Sequence, residues 1–464
     1  MTTLSQGRLR AAFARRLSEM YAREVPAYQT LLDVSHEVNA GVVRERGEAA
    51  ERLGSIGRVT EERHGAIRVG TPGELRAVAR IFGALGMHPV GFYDLREAAV
   101  NAVPVVSTAF RPLDAAELAV NPFRVFTSML ATSDARFFDE DLRPRLENFL
   151  ARRQLFPPEL LALADRAERD RELSTVDAER FLTLAVGAFE LSTEPVDRAW
   201  YEQLERVSAV AADIGGVRST HVNHLTPRVL DIDELYRRMS ARGIEMIDTI
   251  QGPPRWAGPD VLLRQTSFRA LAEPRTLREP DGTVGRGALR VRFGEVEARG
   301  IALTRTGRAR YDELLGRVED RLRADPGAER AGVAREIWAA GLPDSERGLF
   351  DEGLAFCRYE LRTDRPAGPP PGELSALIDH GWVRREPIVY EDFLPRSAAG
   401  IFQSNLTGRG TRDDGREAAG YDLDRLAGIL GREVHDPFDL YARRQDESAE
   451  HVFARLRIPS TNAG

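Results

Sequence analysis

Two histidines stand three positions apart in the stretch GVRSTHVNHLTPR, residues 216–228. A neutral imidazole is a common metal ligand, so His221 and His224 raise the question of a shared metal site. In a helix both rings would lie on one face, but Pro227 disfavours helical backbone at Thr226. In an extended strand, residues three apart face opposite sides. The spacing therefore predicts that only one histidine enters a site; the alternative is that both are structural core residues.

The stretch ERHGAIRVG adds another histidine on a predicted strand. Alternate side chains of a strand share a face, so His64, Ala66 and Arg68 point the same way. A histidine followed by an arginine suits a metal beside an anion, because the planar guanidinium matches a carboxylate. The alternative is a surface strand with a solvated arginine and a structural histidine.

Two carboxylates follow in RVRFGEVEARG, where Phe293, Glu295, Glu297 and Arg299 share one strand face. Carboxylates that face a core are costly unless a cation or an arginine compensates them. One solution is Glu295 on a metal and Glu297 paired with an arginine; the other is an edge strand with a polar outer face. Two histidines and one carboxylate on separate strands would leave about three coordination positions open, which is typical of non-haem Fe(II) oxygen chemistry.

The predicted helices and strands that carry these residues form two blocks, and each block begins with a strand and a helix and continues with strands. Helical periodicity over residues 6–55 gives way at 60 to a strand, a helix capped by Thr71, and three strands up to 131. Helices follow, and a second block starting with a strand and a helix continues as strands to 306. The sequence therefore predicts an α+β fold with a duplicated βαβββ module. The predicted segments are an N-terminal helical segment 1–58, a first module 59–132, a helical insertion 133–213, a second module with metal ligands 214–306, a helical segment 307–384 and a C-terminal segment 385–464 that closes the pocket.

The composition excludes several classes of protein. All 65 basic residues are arginine, so a Schiff-base enzyme, a pyridoxal-phosphate enzyme and a P-loop nucleotidase, which need a lysine, are excluded. A net charge of −7 argues against nucleic acid as the main partner. The single cysteine, Cys357, excludes an intramolecular disulfide and fits a reducing cytoplasm. No apolar run approaches the roughly 20 residues that span a bilayer, so we expect no membrane association.

Several stretches resemble one known family. They are ERHGAIRVGTPGEL, GMHPVGFYDL, STAFRP, NPFRVFTSML, HVNHLTPRVLDID, LLRQTSF, RFGEVEARG, ALT and YEDFLPRSAAGIFQSNL, within a likeness that runs from about residue 8 to 450. They are similar to the iron-dependent 2-oxoadipate dioxygenase/decarboxylases, also called D-2-hydroxyglutarate synthases. That family is similar in fold to the vicinal-oxygen-chelate enzymes, whose paired βαβββ modules form a curved sheet around one metal.

The resemblance implies roles for individual residues. It implies Fe(II) bound by His64, His224 and Glu295, with Arg68 gripping a substrate carboxylate and groups around Ser397 holding the other end of the substrate. The implied reaction decarboxylates and hydroxylates a 2-oxo acid with O₂, converting 2-oxoadipate to 2-hydroxyglutarate in lysine breakdown. The resemblance implies no oligomeric state.

The sequence departs from the family pattern at two positions. Arg396 precedes Ser397 where an apolar residue is usual, and Val106 precedes Ser107 where a histidine is common. Both changes predict a pocket that differs from that of the family. Two alternatives therefore stay open: an oxygenase for another 2-oxo acid, or a non-catalytic, zinc-binding protein on the same scaffold.

Overall fold

The computed structural model describes residues 2–97, 102–290, 292–394, 412–413 and 415–458. Helices and strands are mixed along the chain, and the strands form both parallel and antiparallel pairs, which confirms the predicted α+β class. The strands are β1 Thr3–Ser5, β2 Arg63–Val69, β3 His88–Asp94, β4 Val105–Arg111, β5 Arg124–Leu130, β6 Glu172–Ser174, β7 Val196–Asp197, β8 Val222–Pro227, β9 Leu263–Phe268, β10 Glu273–Arg278, β11 Val284–Leu289, β12 Gly294–Arg299, β13 Cys357–Leu361 and β14 Val383–Pro387.

Helices surround these strands. They are α1 Gln6–Glu24, α2 Pro26–Arg46, α3 Ile56–Glu61, α4 Pro72–Ala84, α5 Ala115–Val120, α6 Leu142–Ala151, α7 Pro158–Asp170, α8 Thr175–Gly187, α9 Arg198–Glu205, α10 Ala209–Gly215, α11 Ile232–Ala241, α12 Arg305–Ala324, α13 Arg330–Gly341, α14 Glu346–Asp351 and α15 Leu374–Asp379, followed by Leu423–Leu430 and Pro437–Leu456. In the part of the chain that the structure describes, none of the helices combines the length and the apolar character needed to cross a bilayer.

The four strands of the first predicted block join β8, the first strand of the second block, in a five-stranded sheet with the order β3-β4-β5-β2-β8. Strand β2 lies between β5 and β8: it runs parallel to β5 on one side and antiparallel to β8 on the other. The connection from β2 to β3 is α4, whose predicted N-terminal cap is confirmed. The Thr71 hydroxyl accepts from the Glu74 amide and the Glu74 carboxylate accepts from the Thr71 amide, a reciprocal cap that fixes where the helix begins.

The second block is less regular than the sequence predicts. Strand β12 pairs antiparallel with β9 and also lies beside β8, where the Val229 amide donates to the Glu297 carbonyl at 2.8 Å. Residues 246–251 border the other side of β9 through isolated bridges at Met246 and Gln251. In the structure β10 and β11 form a hairpin ahead of β12, which the sequence did not predict, and Gly282 adopts a φ of 86° in its turn, a conformation that favours glycine.

The five-stranded sheet buries both of its faces, and every residue of β4, β5 and β8 is buried. One face packs under α1, α2, α4, α7 and α8 and includes Ile67 and Val125. The opposite face carries Ala66 and Phe126 and packs with Phe393. Val106 lies fully buried on the helix-covered face. The prediction that this residue alters the pocket is therefore wrong, because alternation along β4 points its side chain away from the face that carries Ala66.

Candidate metal centre

Three of the residues singled out in the sequence meet on adjacent strands. His64 lies on β2, His224 on β8 and Glu295 on β12, and all three side chains are buried. One nitrogen or oxygen from each lies within 4.8 Å of the other two. The Nε2 atom of His64 is 3.1 Å from Glu295 Oε1, and Nδ1 of His224 is 3.7 Å from Glu295 Oε2. Within the described ranges no other group of three His, Cys, Asp or Glu side chains converges in this way.

Each of the three side chains has a partner that fixes its orientation. The Nδ1 atom of His64 lies 2.8 Å from Oε2 of Glu297, and Nδ1 of His224 lies 3.0 Å from the Thr226 hydroxyl. The Gln265 amide donates to Glu295 Oε1 at 2.6 Å. Partners of this kind hold metal-binding side chains in one rotamer and one tautomer.

Aromatic rings form the wall around the two histidines. Phe293 stacks on the His224 ring with centroids 5.1 Å apart, and Phe393 meets the His64 ring edge-on at 4.9 Å. Phe126 contacts Phe393 in turn at 5.2 Å. The aromatic wall keeps water away from these faces of the imidazoles, which strengthens electrostatic interactions inside the site.

Burial and neighbouring charges shift the pKa of each histidine differently. Burial lowers the pKa of His224 to about 4, which leaves its ring neutral and able to coordinate. For His64 burial acts in the same downward direction, but the carboxylates of Glu297 and Glu295 outweigh it and raise the pKa of His64. A metal cation would replace that proton at Nε2, because metal binding requires the deprotonated ring nitrogen.

The donor set fits a divalent metal ion such as Fe(II) or Zn(II). Two imidazole nitrogens and one carboxylate oxygen lie within 4.8 Å of one another, and three protein ligands of this kind leave coordination positions open. Cys357 does not contribute sulfur, since it lies on β13 and is not one of the converging side chains. The structure thus brings the three predicted residues together. The predicted orientation of His221, which assumed a regular strand, is different in the structure.

Strand β8 contains a bulge that the sequence did not reveal. Ala66 pairs with His224 and Ile67 with Val222, so Asn223 is an extra residue in β8. The extra residue shifts the alternation by one position, and His221 therefore lies on the same side as Arg68 instead of facing the opposite side of the sheet. Its Nε2 atom is 3.2 Å from the Asn223 amide and 3.4 Å from Asp213. His221 is buried next to the site but is not one of the three converging side chains.

Arg68 follows His64 on the same face of β2 and is buried. Its Nη1 donates to Asp213 Oδ2 at 2.5 Å, and its backbone carbonyl accepts from the Thr220 hydroxyl at 2.7 Å. Asp213 stays ionised in this position: burial acts against the charge, but His221 and Arg68 lower the pKa of Asp213. No sequence pattern marks Asp213, which lies on α10 at the end of the predicted helical insertion 133–213. Any anion that Arg68 binds must share the guanidinium with this carboxylate.

The other two predicted substrate contacts, Arg396 and Ser397, lie outside the described residues. The chain re-enters the site just before them: Phe393 touches His64, and Glu391 and Asp392 are fully or almost fully buried.

Behind His64 the structure contains a group of buried charges that sequence reasoning did not find. We call it the buried ionic cluster. Its members are Arg58, Glu62, Arg124, Arg228, Glu297, Arg299 and Glu391. Arg124 is its centre, with Glu62 at 2.8 Å, Glu391 at 2.5 Å and Glu297 at 3.4 Å. No periodic pattern marks these residues, since they come from five separate stretches of the chain.

Comparison with known proteins identifies the family. A family model described as 2-oxoadipate dioxygenase/decarboxylase matches residues 13–405. The 2-oxoadipate dioxygenase/decarboxylase of Mycobacterium tuberculosis is 58% identical over 96% of this chain and 98% of the relative. That of Pseudomonas putida is 41% identical over 98% of each. The chain belongs to the 2-oxoadipate dioxygenase/decarboxylase family.

Solved structures agree with this membership. The hydroxyglutarate synthase from Pseudomonas putida, in complex with 2-oxoadipate, is 38% identical with a TM-score of 0.83, covering 98% of this chain and 99% of that one. A protein of Shigella flexneri is 36% identical with a TM-score of 0.81, covering 97% and 99%. This member of the 2-oxoadipate dioxygenase/decarboxylase family therefore shares the fold of its relatives over nearly its whole length, and it is an oxidoreductase of that family.

Proposed function

We propose that the chain is an Fe(II)-dependent oxygenase that converts 2-oxoadipate and O₂ to 2-hydroxyglutarate and CO₂. The observation that carries the proposal is the convergence of His64, His224 and Glu295 within 4.8 Å, with Arg68 on the same strand face as His64. The 2-oxoadipate in the structure of the Pseudomonas putida relative supports the choice of substrate.

One set of residues would bind the metal, and another set binds the substrate. His64, His224 and Glu295 would hold the iron, which when bound supplies a Lewis acid and a redox centre for oxygen chemistry. Arg68 binds the carboxylate of the substrate that lies farther from the 2-oxo group. Asp213 aligns the guanidinium for that contact through the 2.5 Å hydrogen bond. Arg396 and Ser397 are proposed to contact the substrate as well, on sequence grounds alone.

We also infer that the two blocks are paired βαβββ modules of the vicinal-oxygen-chelate kind. In support, β2-α4-β3-β4-β5 has that order, and β8, α11, residues 246–251, β9 and β12 repeat it, interrupted by the β10–β11 hairpin. The proposed metal ligands come from the first strand of each block and from the last strand of the second. The segment boundaries predicted from the sequence and a location in the cytoplasm belong to this proposal.

The test is reconstitution of the purified protein. The protein is stripped with a chelator and loaded anaerobically with Fe(II) or Zn(II), then mixed with 2-oxoadipate and O₂. We expect one O₂ consumed and one CO₂ released per 2-hydroxyglutarate, identified by mass, with Fe(II) only, because zinc has no redox chemistry. Turnover of another 2-oxo diacid or a monoacid in preference to 2-oxoadipate would reassign the substrate. Absence of O₂ uptake with every 2-oxo acid would overturn the proposal.

A further inference from the structure

We propose that Glu297 is the positioning residue of the metal site: it holds the proton of His64 on Nδ1, so that Nε2 presents its lone pair to the metal. The inference rests on the proposed function only in taking the three converging side chains as a metal site. It concerns how the chain prepares one ligand and does not depend on which oxo acid is used.

The surroundings of the Glu297 carboxylate are the first step. It is fully buried, and two arginines and the His64 ring lie close to its oxygens. Arg299 donates to both oxygens, from Nε to Oε1 at 2.7 Å and from Nη2 to Oε2 at 2.9 Å. Arg124 adds a contact to Oε1 at 3.4 Å. Oε2 also lies 2.8 Å from Nδ1 of His64. A proton on Nδ1 lets the ring donate to this oxygen, whereas a lone pair on Nδ1 would face a carboxylate oxygen.

The two arginines cannot turn away to release the carboxylate. Arg299 uses Nη1 to donate to the carbonyls of Tyr390 at 2.8 Å and Asp392 at 3.0 Å. Arg124 is held at the same time by Glu62 and Glu391. The carboxylate is therefore held by two arginines, and the imidazole is the third group beside it. This arrangement sets both the tautomer and the direction of the His64 ring.

The contacts make glutamine a sharp test. Glutamine has the shape of glutamate but carries one acceptor oxygen and one NH₂ donor. If the amide oxygen faces Arg124 and Arg299, the NH₂ group meets His64 Nδ1 and drives its proton to Nε2, which blocks coordination there. If the amide turns over, NH₂ meets arginine donors instead. Neither orientation satisfies all the neighbours of position 297.

The experiment measures Zn(II) binding, which is independent of turnover. Zn(II) affinity is determined by competition with a chromogenic chelator for the wild type, Glu297→Gln, Glu297→Asp and Glu273→Gln. Glu273 is a matched control, since it is a buried carboxylate paired with Arg292. We expect Glu297→Gln to lose about ten- to a hundredfold in affinity, the usual cost of removing the partner of a metal-bound histidine. Glu297→Asp should recover part of the loss, and Glu273→Gln should bind like the wild type.

A second readout follows the proton itself and does not need a folded variant. In Zn(II)-loaded, ¹⁵N-histidine-labelled wild type, long-range ¹H–¹⁵N spectra should show the His64 ring metallated at Nε2 and protonated at Nδ1. A ring bound through Nδ1, or an Nδ1 without its proton, would overturn the proposal, as would wild-type zinc affinity in Glu297→Gln. Failure to oxidise 2-oxoadipate leaves these readouts unchanged, so the two proposals fail separately.

Discussion

His221 and His224 differ in role through a single extra residue. The bulge at Asn223 brings both side chains to the same side of β8, yet only His224 lies with His64 and Glu295. His221 instead contacts Asp213, the partner of Arg68. His224 therefore belongs to the proposed metal site, whereas His221 lies beside the partner of the proposed substrate-binding Arg68.

Replacing each histidine by alanine separates those roles. We expect His224→Ala to lower Fe(II) affinity by more than about a hundredfold, since loss of a ligand costs more than loss of a ligand's partner. His221→Ala should keep most of the affinity for Fe(II), because His221 is not among the converging side chains. Anaerobic Fe(II) titration measures both variants. The reverse result would contradict the assignment of His224 as the ligand.

Arg68→Lys tests the substrate contact. A lysine carries a point charge and cannot bond Asp213 and a substrate carboxylate with one planar group. We expect kcat/KM for 2-oxoadipate to fall about ten- to a hundredfold, the value of a charge-assisted hydrogen bond, while Fe(II) affinity stays unchanged. Arg80→Lys, which alters an exposed ion pair with Asp165, is the control and should behave as the wild type. Equal loss for both substitutions would show that the effect is not specific to Arg68.

The three proposed ligands were predictable from the sequence through residue type and resemblance, but their partners were not. Glu297 was predicted to pair with an arginine, and Arg299 fills that place. Asp213 and Arg124 carry no local signal, because a buried charge is recognisable only once its partners from other segments are known.

Helix caps and turns fix where the strands that carry the site residues begin and end. Helix α4 begins where the Thr71 cap ends strand β2, so the register of β2, and with it His64 and Arg68, is bounded by this turn. The cap and the five strands of the first sheet were predicted, because capping residues and apolar runs are local signals. The β10–β11 hairpin was missed, because β11 is exposed and contains two glycines, which makes its sequence similar to that of a loop.

Removing the N-terminal cap of α4 should lower the free energy of unfolding and leave the catalysed reaction unchanged. Thr71→Ala deletes the acceptor for the Glu74 amide, and we expect the free energy of unfolding to fall by about 1 kcal/mol. Thr71→Ser retains the hydroxyl and is the matched control. Urea unfolding measures both. A loss in Thr71→Ser as large as that in Thr71→Ala would show that the methyl group, and not the cap, stabilises the turn.

At the scale of the whole molecule, the buried ionic cluster joins parts of the chain that local pattern does not connect. Arg58 and Glu62 come from the region of α3, Arg124 from β5, Arg228 from the end of β8 and Glu391 from the segment that follows β14. Asp392 adds a neighbouring pair with Arg111 and accepts from the Tyr441 hydroxyl of the helix Pro437–Leu456. The C-terminal part of the chain is thereby fixed to the sheet that carries His64.

Breaking the cluster at its centre should be strongly destabilising. Arg124→Met leaves Glu62, Glu391 and Glu297 without their shared cation, and removing one partner of a buried ion pair costs about 3–5 kcal/mol. Chemical denaturation followed by circular dichroism measures the change. Arg16→Met, which removes an exposed pair with Glu179, is the control and should cost less than about 1 kcal/mol. A similar small loss for Arg124→Met would contradict the importance of the cluster.

The same cluster predicts acid sensitivity. Burial opposes ionisation, but Arg299 and His64 lower the pKa of Glu297 to about 2, and Arg58 and Arg124 do the same for Glu391. Because these folded-state pKa values lie below the unfolded value of about 4.3, the stabilisation is complete above that pH and is lost as pH falls towards 2. Urea unfolding at stepped pH should show the free energy of unfolding dropping steeply below about pH 5. The slope should be shallower in Glu391→Gln.

The arrangement of the three ligand strands also governs the order of assembly. Strand β2 pairs with β8, and β8 borders β12, although long helical segments separate them in the chain. Contacts between such distant segments form late in folding, because closing the intervening loops costs entropy before strand pairing compensates for that loss. The apo chain therefore has to complete its sheet before it can capture a metal ion. Metal concentration should then leave the refolding rate unchanged and slow only unfolding, so that a bound metal ion lengthens the lifetime of the native state.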